Sequence, residues 1–296
     1  MTNDLKKAEN SFDHGQIPGV KIVSGHGGLP MVRLTSKDGA VVAVYLHGGH
    51  VASWKTPDGR ERIFMSKNSN FTPGTAIRGG IPVVFPQFSK DGNLPQHGFL
   101  RIGNWELLDS CIGDESHILL GIKANDETRT LWPFDFAVTL KISLLSGRLM
   151  LEPTVENTGS AEFKFAFAFH SYFQVSDIQR VLIGGLRGTK YLDAVKGLPQ
   201  ETETEEFLRI DREIDRVYAG APNRVVLKDA DTELCITKRN MSDIVIWNPW
   251  VDKSAKLPDF GADEFNNMDC IETGNMRTLS TLPPGATWSG VTVFNS

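Results

Sequence analysis

Apolar positions along this chain come in short runs, cut at close intervals by Gly, Pro and Asp. Strand-like stretches stand at 31–36 (MVRLTS), 40–46 (AVVAVYL), 116–124, 134–145 and 147–157. More follow at 161–173, 224–230, 232–239, 268–273 and 286–294. Turn dipeptides separate them: Asp-Gly at 38–39, 58–59 and 91–92, and Ser-Gly at 146–147. No long stretch carries apolar residues at helical spacing, and no repeat of 20–50 residues is present. Regular strands with short turns predict an all-β fold, a large antiparallel β-sandwich, rather than a parallel βαβ sheet. Residues 1–18 read as a polar N-terminal arm and residues 19–296 as one domain, since nothing in the latter resembles a linker.

The alternation is clearest over AEFKFAFAFHSYF (161–173). Period 2 puts Phe163, Phe165, Phe167 and Phe169 on one face, and Lys164, Ala166, Ala168 and His170 on the other. A phenylalanine wall would face the core. The other face, kept small by two alanines, would floor a shallow cleft with His170 at its end.

Composition narrows the chemistry. A net charge of −5 without a basic block argues against nucleic-acid binding. Cys111, Cys235 and Cys270 are odd in number and far apart, so neither a disulfide framework nor a zinc motif is expected. The first thirty residues contain no apolar stretch fit for a signal peptide, and no run approaches the ~20 apolar residues that span a bilayer. The expectation is a cytoplasmic protein with no membrane or nucleic-acid partner.

Four segments concentrate chemistry. AIRGGIPVVFPQF (76–88) sets Arg78 beside two glycines that permit close approach. LPQHGFLR (94–101) packs Gln96, His97 and Arg101 around a glycine, side chains suited to sugar hydroxyls and phosphate oxygens. FAFAFHSYF ends a strand on His170, and DCIETGN (269–275) sets Glu272 before a Thr-Gly pair that reads as a turn. Each segment alone also reads as ordinary structure. Together they supply an acid, a base and cations for an anion. His47 and His50 have metal-like spacing, but YLHGGHVASW reads more simply as strand, glycine turn, strand. No GxSxG, Walker A, HExxH or GxGxxG motif is present.

These segments resemble the aldose 1-epimerase (galactose mutarotase-like) family, and within it the glucose-6-phosphate 1-epimerase branch. The resemblance spans roughly residues 20–295, through HVASWKT, SNFTPGTAIRGGIPVVFPQF, LPQHGFLR, FAFHSYF, KYLD, EIDRVY, IVIWNPW and DCIETGN in order. It implies a β-supersandwich with an open cleft that interconverts the α and β anomers of a hexose 6-phosphate without metal or other cofactor. It further implies His170 as catalytic acid and Glu272 as catalytic base. Arg78, Gln96, His97, Arg101 and an aspartate would bind substrate. That aspartate maps to Asp215 of EIDRVY, with Asp193 of KYLD as the competing placement. A small-molecule sugar phosphate is the implied partner, and the chain is expected to act as a monomer.

Ring opening needs a base at the C1 hydroxyl and an acid at the ring oxygen, each typically contributing ~10²–10⁴-fold. On this reading Arg78 and Arg101 meet the phosphate, far from C1. The pH profile would fall at acid as Glu272 protonates and at alkaline pH as His170 loses its proton. An epimerase of unphosphorylated aldoses and a non-catalytic carbohydrate-binding module are the alternatives, since fold does not fix function.

Overall fold

A computed structural model describes residues 19–230 and 232–296; the arm expected over 1–18 lies outside the described residues. The strands form sheets of four, eight and ten members. The eight-stranded sheet runs in the order Gln200–Thr202, Lys190–Asp193, Ile214–Tyr218, Asp243–Asn248, Met268–Leu282, Phe163–Phe169, Val83–Val84. Tyr172–Gln174 pairs antiparallel with the long strand Met268–Leu282 as well. Among the described residues, α-helix is confined to Asp126–Leu131 and Trp250–Ser254. No helix among them is long and apolar enough to cross a membrane. The expected all-β antiparallel sandwich is what forms.

Its core lies between the eight- and ten-stranded sheets, and the phenylalanine wall supplies much of it. Phe163, Phe165, Phe167 and Phe169 are all buried, with Phe167 5.4 Å from the Trp288 ring of the opposing sheet. Phe173 meets Phe294 edge-on at 5.1 Å, and the Thr273 and Thr292 hydroxyls bond across the gap at 2.7 Å. Each fully buried phenylalanine contributes roughly 1.5–3 kcal/mol, so the wall anchors the strand that carries the histidine. The four-stranded sheet, Val20–Ser24 to His50–Lys55, feeds Val32, Leu34, Val42 and Trp54 into the same core.

One local expectation is corrected. Thr273–Gly274 is not a turn: the strand runs unbroken from Met268 to Leu282. Gly274 sits opposite Ala168, and a Cβ on it would lie 2.5 Å from the Ala168 Cβ and 2.2 Å from the Phe167 carbonyl oxygen. The glycine serves close approach between strands, not a reversal of the chain. The HGGH segment does join two strands, through Gly48 and Gly49 at φ 79° and 56°, and His47 Nε2 lies 2.8 Å from the Thr75 carbonyl oxygen.

Candidate active site

Directly opposed residues of an antiparallel pair project to the same face. The pairs Asp215–Trp247, Trp247–Cys270, Val245–Glu272, Tyr172–Cys270, Ala168–Gly274 and Ala168–Val84 therefore mark out the outer face of the eight-stranded sheet. Ala168 and Gly274 keep its middle shallow. The strand Phe163–Phe169 ends there, and the His170 amide donates to the Pro82 carbonyl at 3.0 Å. That break sets His170 over the floor with its Nε2 3.2 Å from Glu272 Oε1. His170 is 8% exposed and Glu272 2%, while His170 Nδ1 and Glu272 Oε2 have no partner.

Burial dominates the electrostatics of this pair. It pushes the Glu272 carboxyl well above its ordinary value, helped by Asp215 and opposed by Arg101. It pushes His170 well below its own, with His97, Arg78 and Arg101 adding to the effect. Both shifts resist a net charge on the pair, whose two members stand 3.2 Å apart, within reach of exchanging a proton. The directions of the two shifts point to the opposite pH assignment from the one expected from sequence. At acid pH it is His170 that must take up a second proton. At alkaline pH it is Glu272 that must give up the last one.

The loop residues surround the pair from one side. His97 and Gly98 adopt consecutive left-handed conformations, φ 63° and 71°. The His97 ring stands edge-on to His170 at 5.3 Å, and its Nδ1 accepts from the Ser89 amide at 3.3 Å. Burial, then Arg101 and Arg78, lower its pKa to about 3. A neutral ring that accepts at Nδ1 carries its hydrogen on Nε2, free to donate to a ligand oxygen. Arg101 donates from Nη2 to the Gln96 carbonyl oxygen at 2.7 Å and keeps its other donors free. The Gln96 side chain is exposed, so Gln96 meets the site through its backbone.

Arg78 stands beside two glycines in left-handed conformations. Gly79 and Gly80 have φ 98° and 66°, and a Cβ on Gly80 would lie 2.1 Å from His50 Nε2. Arg78 Nε donates to Asp259 Oδ2 at 3.2 Å and Nη1 to the Tyr172 hydroxyl at 3.0 Å. Tyr172 in turn stacks on His170, centroids 4.8 Å apart at 9°. Arg78 is thus tied to the His170–Glu272 pair through Tyr172, with two of its donors already engaged.

The register sets the two aspartates on different faces of the sheet. Asp215 shares the face of Trp247 and Cys270 and raises the Glu272 pKa, whereas Asp193 pairs with Arg216 on the opposite face. Asp193 is buried at a turn, accepting from the Val195 and Lys196 amides. Asp215 itself is raised to about 6, chiefly by burial, with Lys253 Nζ 3.8 Å away.

Sequence reasoning passed over Tyr172, Trp247 and Asp259. Tyr172 was within reach, two residues beyond His170 on the same side. Trp247 packs edge-on against both the His170 and Tyr172 rings at 5.9 Å. Asp259 accepts from Arg78 across 181 residues of sequence, and its Oδ1 is buried without a partner.

The antiparallel sandwich thus carries the His170–Glu272 pair on the outer face of its eight-stranded sheet, with Arg78 and Arg101 near it. A family model described as aldose 1-epimerase matches residues 30–295, and the chain belongs to that family. A protein of Cenchrus ciliaris named "Putative glucose-6-phosphate 1-epimerase" is 36% identical over 284 residues, covering 92% of this chain and 86% of its own length. A Salmonella typhimurium protein of the same name is 30% identical, with 82% and 81% covered. Among solved structures, one named a "putative mutarotase" from Salmonella typhimurium superimposes with a TM-score of 0.86 at 25% identity, over 94% of each chain.

Proposed function

We propose that this chain interconverts the α and β anomers of a hexose 6-phosphate, glucose 6-phosphate foremost, by acid–base opening and reclosure of the sugar ring. The observation that carries the reading is the buried His170–Glu272 pair at 3.2 Å, beside Arg78 and Arg101. The printed names of the relatives support the phosphate. The reading takes residues 19–296 as one domain, because the main hydrophobic core draws residues from Val32 to Phe294. It takes one sugar phosphate as partner, a cytoplasmic monomer as the working unit, and no cofactor.

Glu272 takes the proton from the C1 hydroxyl while His170 gives one to the ring oxygen. The C1–O5 bond breaks and leaves an aldehyde and a C5 hydroxyl. After rotation about C1–C2, His170 takes back the hydroxyl proton, O5 closes on the other face of C1, and Glu272 returns its proton to O1. The pair carries one proton throughout: it rests as carboxylic acid with imidazole, passes the proton across to imidazolium with carboxylate to start the reaction, and is returned by ring opening to imidazole with carboxylic acid. A buried site that resists net charge favours such a neutral exchange. His97 donates to a sugar oxygen, Asp215 accepts from a hydroxyl, and the Gln96 backbone holds Arg101. Arg101, with most of its donors free, grips the phosphate, while Arg78 divides itself between phosphate, Tyr172 and Asp259.

Anomer exchange followed by NMR, on glucose 6-phosphate and glucose side by side, tests the reading. Arg101→Ala should lower kcat/KM on the phosphosugar by about ten- to a hundred-fold, the range of ~1.5–3 kcal/mol for a hydrogen bond to a charged group, and leave the glucose rate nearly unchanged. Arg78→Ala should slow both, because it also releases Tyr172 from its bond and His170 from its stacking partner. Equal losses from Arg101→Ala on both sugars would transfer the assignment to unphosphorylated aldoses.

A further inference from the structure

The site just described holds one group that the reaction does not use. Cys270 pairs with Tyr172 on the site's face of the sheet, is fully buried, and is not in a disulfide. Its Sγ, a ring nitrogen of His170 and a carboxylate oxygen of Glu272 all lie within 4.8 Å of one another. Glu272 Oε2 is buried and unpartnered in the same place. Tetrahedral zinc bonds at ~2.0–2.3 Å hold ligand atoms roughly 3.3–3.8 Å apart. The His170–Glu272 separation of 3.2 Å is already close to that spacing.

We propose that His170, Cys270 and Glu272 form a latent site for a soft divalent cation of the zinc class, and that the occupied site is the inhibited form of the enzyme. The proposal rests on the catalytic reading of His170 and Glu272 for its effect on activity, but not for the binding itself. Thiolate, imidazole and carboxylate together select zinc or cadmium over magnesium or calcium, which prefer all-oxygen shells. Two anionic ligands and a neutral ring cancel the charge of a divalent ion, which removes most of the cost of burying it. On binding, the thiol and the His170–Glu272 pair each give up one proton to solvent, and Sγ, a ring nitrogen and a carboxylate oxygen each donate a lone pair to the metal. The histidine and glutamate can then neither accept nor deliver the protons of ring opening. The fourth position of a tetrahedral ion is left for water or a sugar oxygen on the cleft side.

Cadmium is the probe, because a thiolate bound to it absorbs in the ultraviolet. The experiment uses the full chain carrying Cys111→Ser and Cys235→Ser, so that Cys270 is the remaining thiol. One equivalent of cadmium should produce the thiolate band and abolish anomer exchange, and EDTA should reverse both. Cys270→Ala and Cys270→Ser, checked for an unchanged circular dichroism spectrum, should keep metal-free exchange within about threefold. Both should need at least tenfold more zinc or cadmium for half-inhibition, and the band should be absent. A chain that shows no band with cadmium overturns the site. Inhibition of the Cys270 variants at unchanged metal concentration overturns the role of the thiol. The band is read without any substrate, so a failure of the epimerase reading leaves this test standing.

Discussion

Two carboxyl groups three residues apart on one strand, Asp269 and Glu272, meet opposite fates. Both are buried, at 0% and 2% exposure, and burial pushes both well above the ordinary carboxyl range. Asp269 projects into the space between the sheets opposite Phe173, and both its oxygens lack a side-chain partner. Glu272 projects to the outer face, where His170 stands 3.2 Å away and arginines approach. A shifted acid alone therefore does not mark a site. What separates the two is a proton partner within hydrogen-bond reach on a face that a ligand can enter.

The comparison breaks first on activity. Glu272→Gln and His170→Asn should each lower kcat on glucose 6-phosphate by about a hundred-fold or more, since each removes a proton-transfer group. Asp269→Asn should stay within about threefold of wild type. A comparable loss from Asp269→Asn would mean that the inner carboxyl takes part.

A pH profile of kcat sharpens it. The pair works with one proton, and burial opposes both gaining and losing one, so the plateau should span neutrality. Its limbs should lie farther apart than ordinary glutamate and histidine values, falling about tenfold per pH unit beyond each. In Glu272→Gln the alkaline limb should disappear from whatever activity remains. A narrow bell centred between ordinary values would show that the pair is well solvated in the working enzyme.

The smallest effect concerns stability. The folded-state pKa of Asp269 is raised, so its contribution is fully present below the unfolded value and is lost as pH rises towards the folded one. Wild type should lose stability relative to Asp269→Asn by up to ~1.4 kcal/mol per pH unit over that window, the limit for a single proton. Denaturant unfolding of both proteins between mildly acid and mildly alkaline pH measures the difference. A gap that stays constant with pH would place a partner beside Asp269.

Sequence made much of this legible, and the failures have physical causes. Period-2 alternation over 161–173 fixed both the phenylalanine wall and the exit of His170, because the register of one strand is a local property. Thr273–Gly274 misled because glycine serves a turn and a close strand contact equally well, and only the neighbour, Ala168, tells them apart. The choice between Asp215 and Asp193 needed the cross-strand pairing of Trp247 and Arg216. Asp259 lies in a loop with no periodic pattern, and its bond to Arg78 forms only when distant segments meet. Cys270 and Trp247 are as buried as core residues, and only the pairing that separates the sheet's two faces sets them beside His170 and Glu272.

The close contact at Gly274 means that the floor of the cleft is made by atoms that are not there. Its depth at this point is set by a missing Cβ against Ala168. Such a surface cannot be deepened by any substitution in place, only raised. Diversification of this enzyme's sugar preference would therefore fall to the rim, where Arg101 and Asp259 lie outside the strands of the sheet. A library built on those two positions should yield folded variants of altered preference, while one built on the floor should yield mainly proteins that fail to assemble.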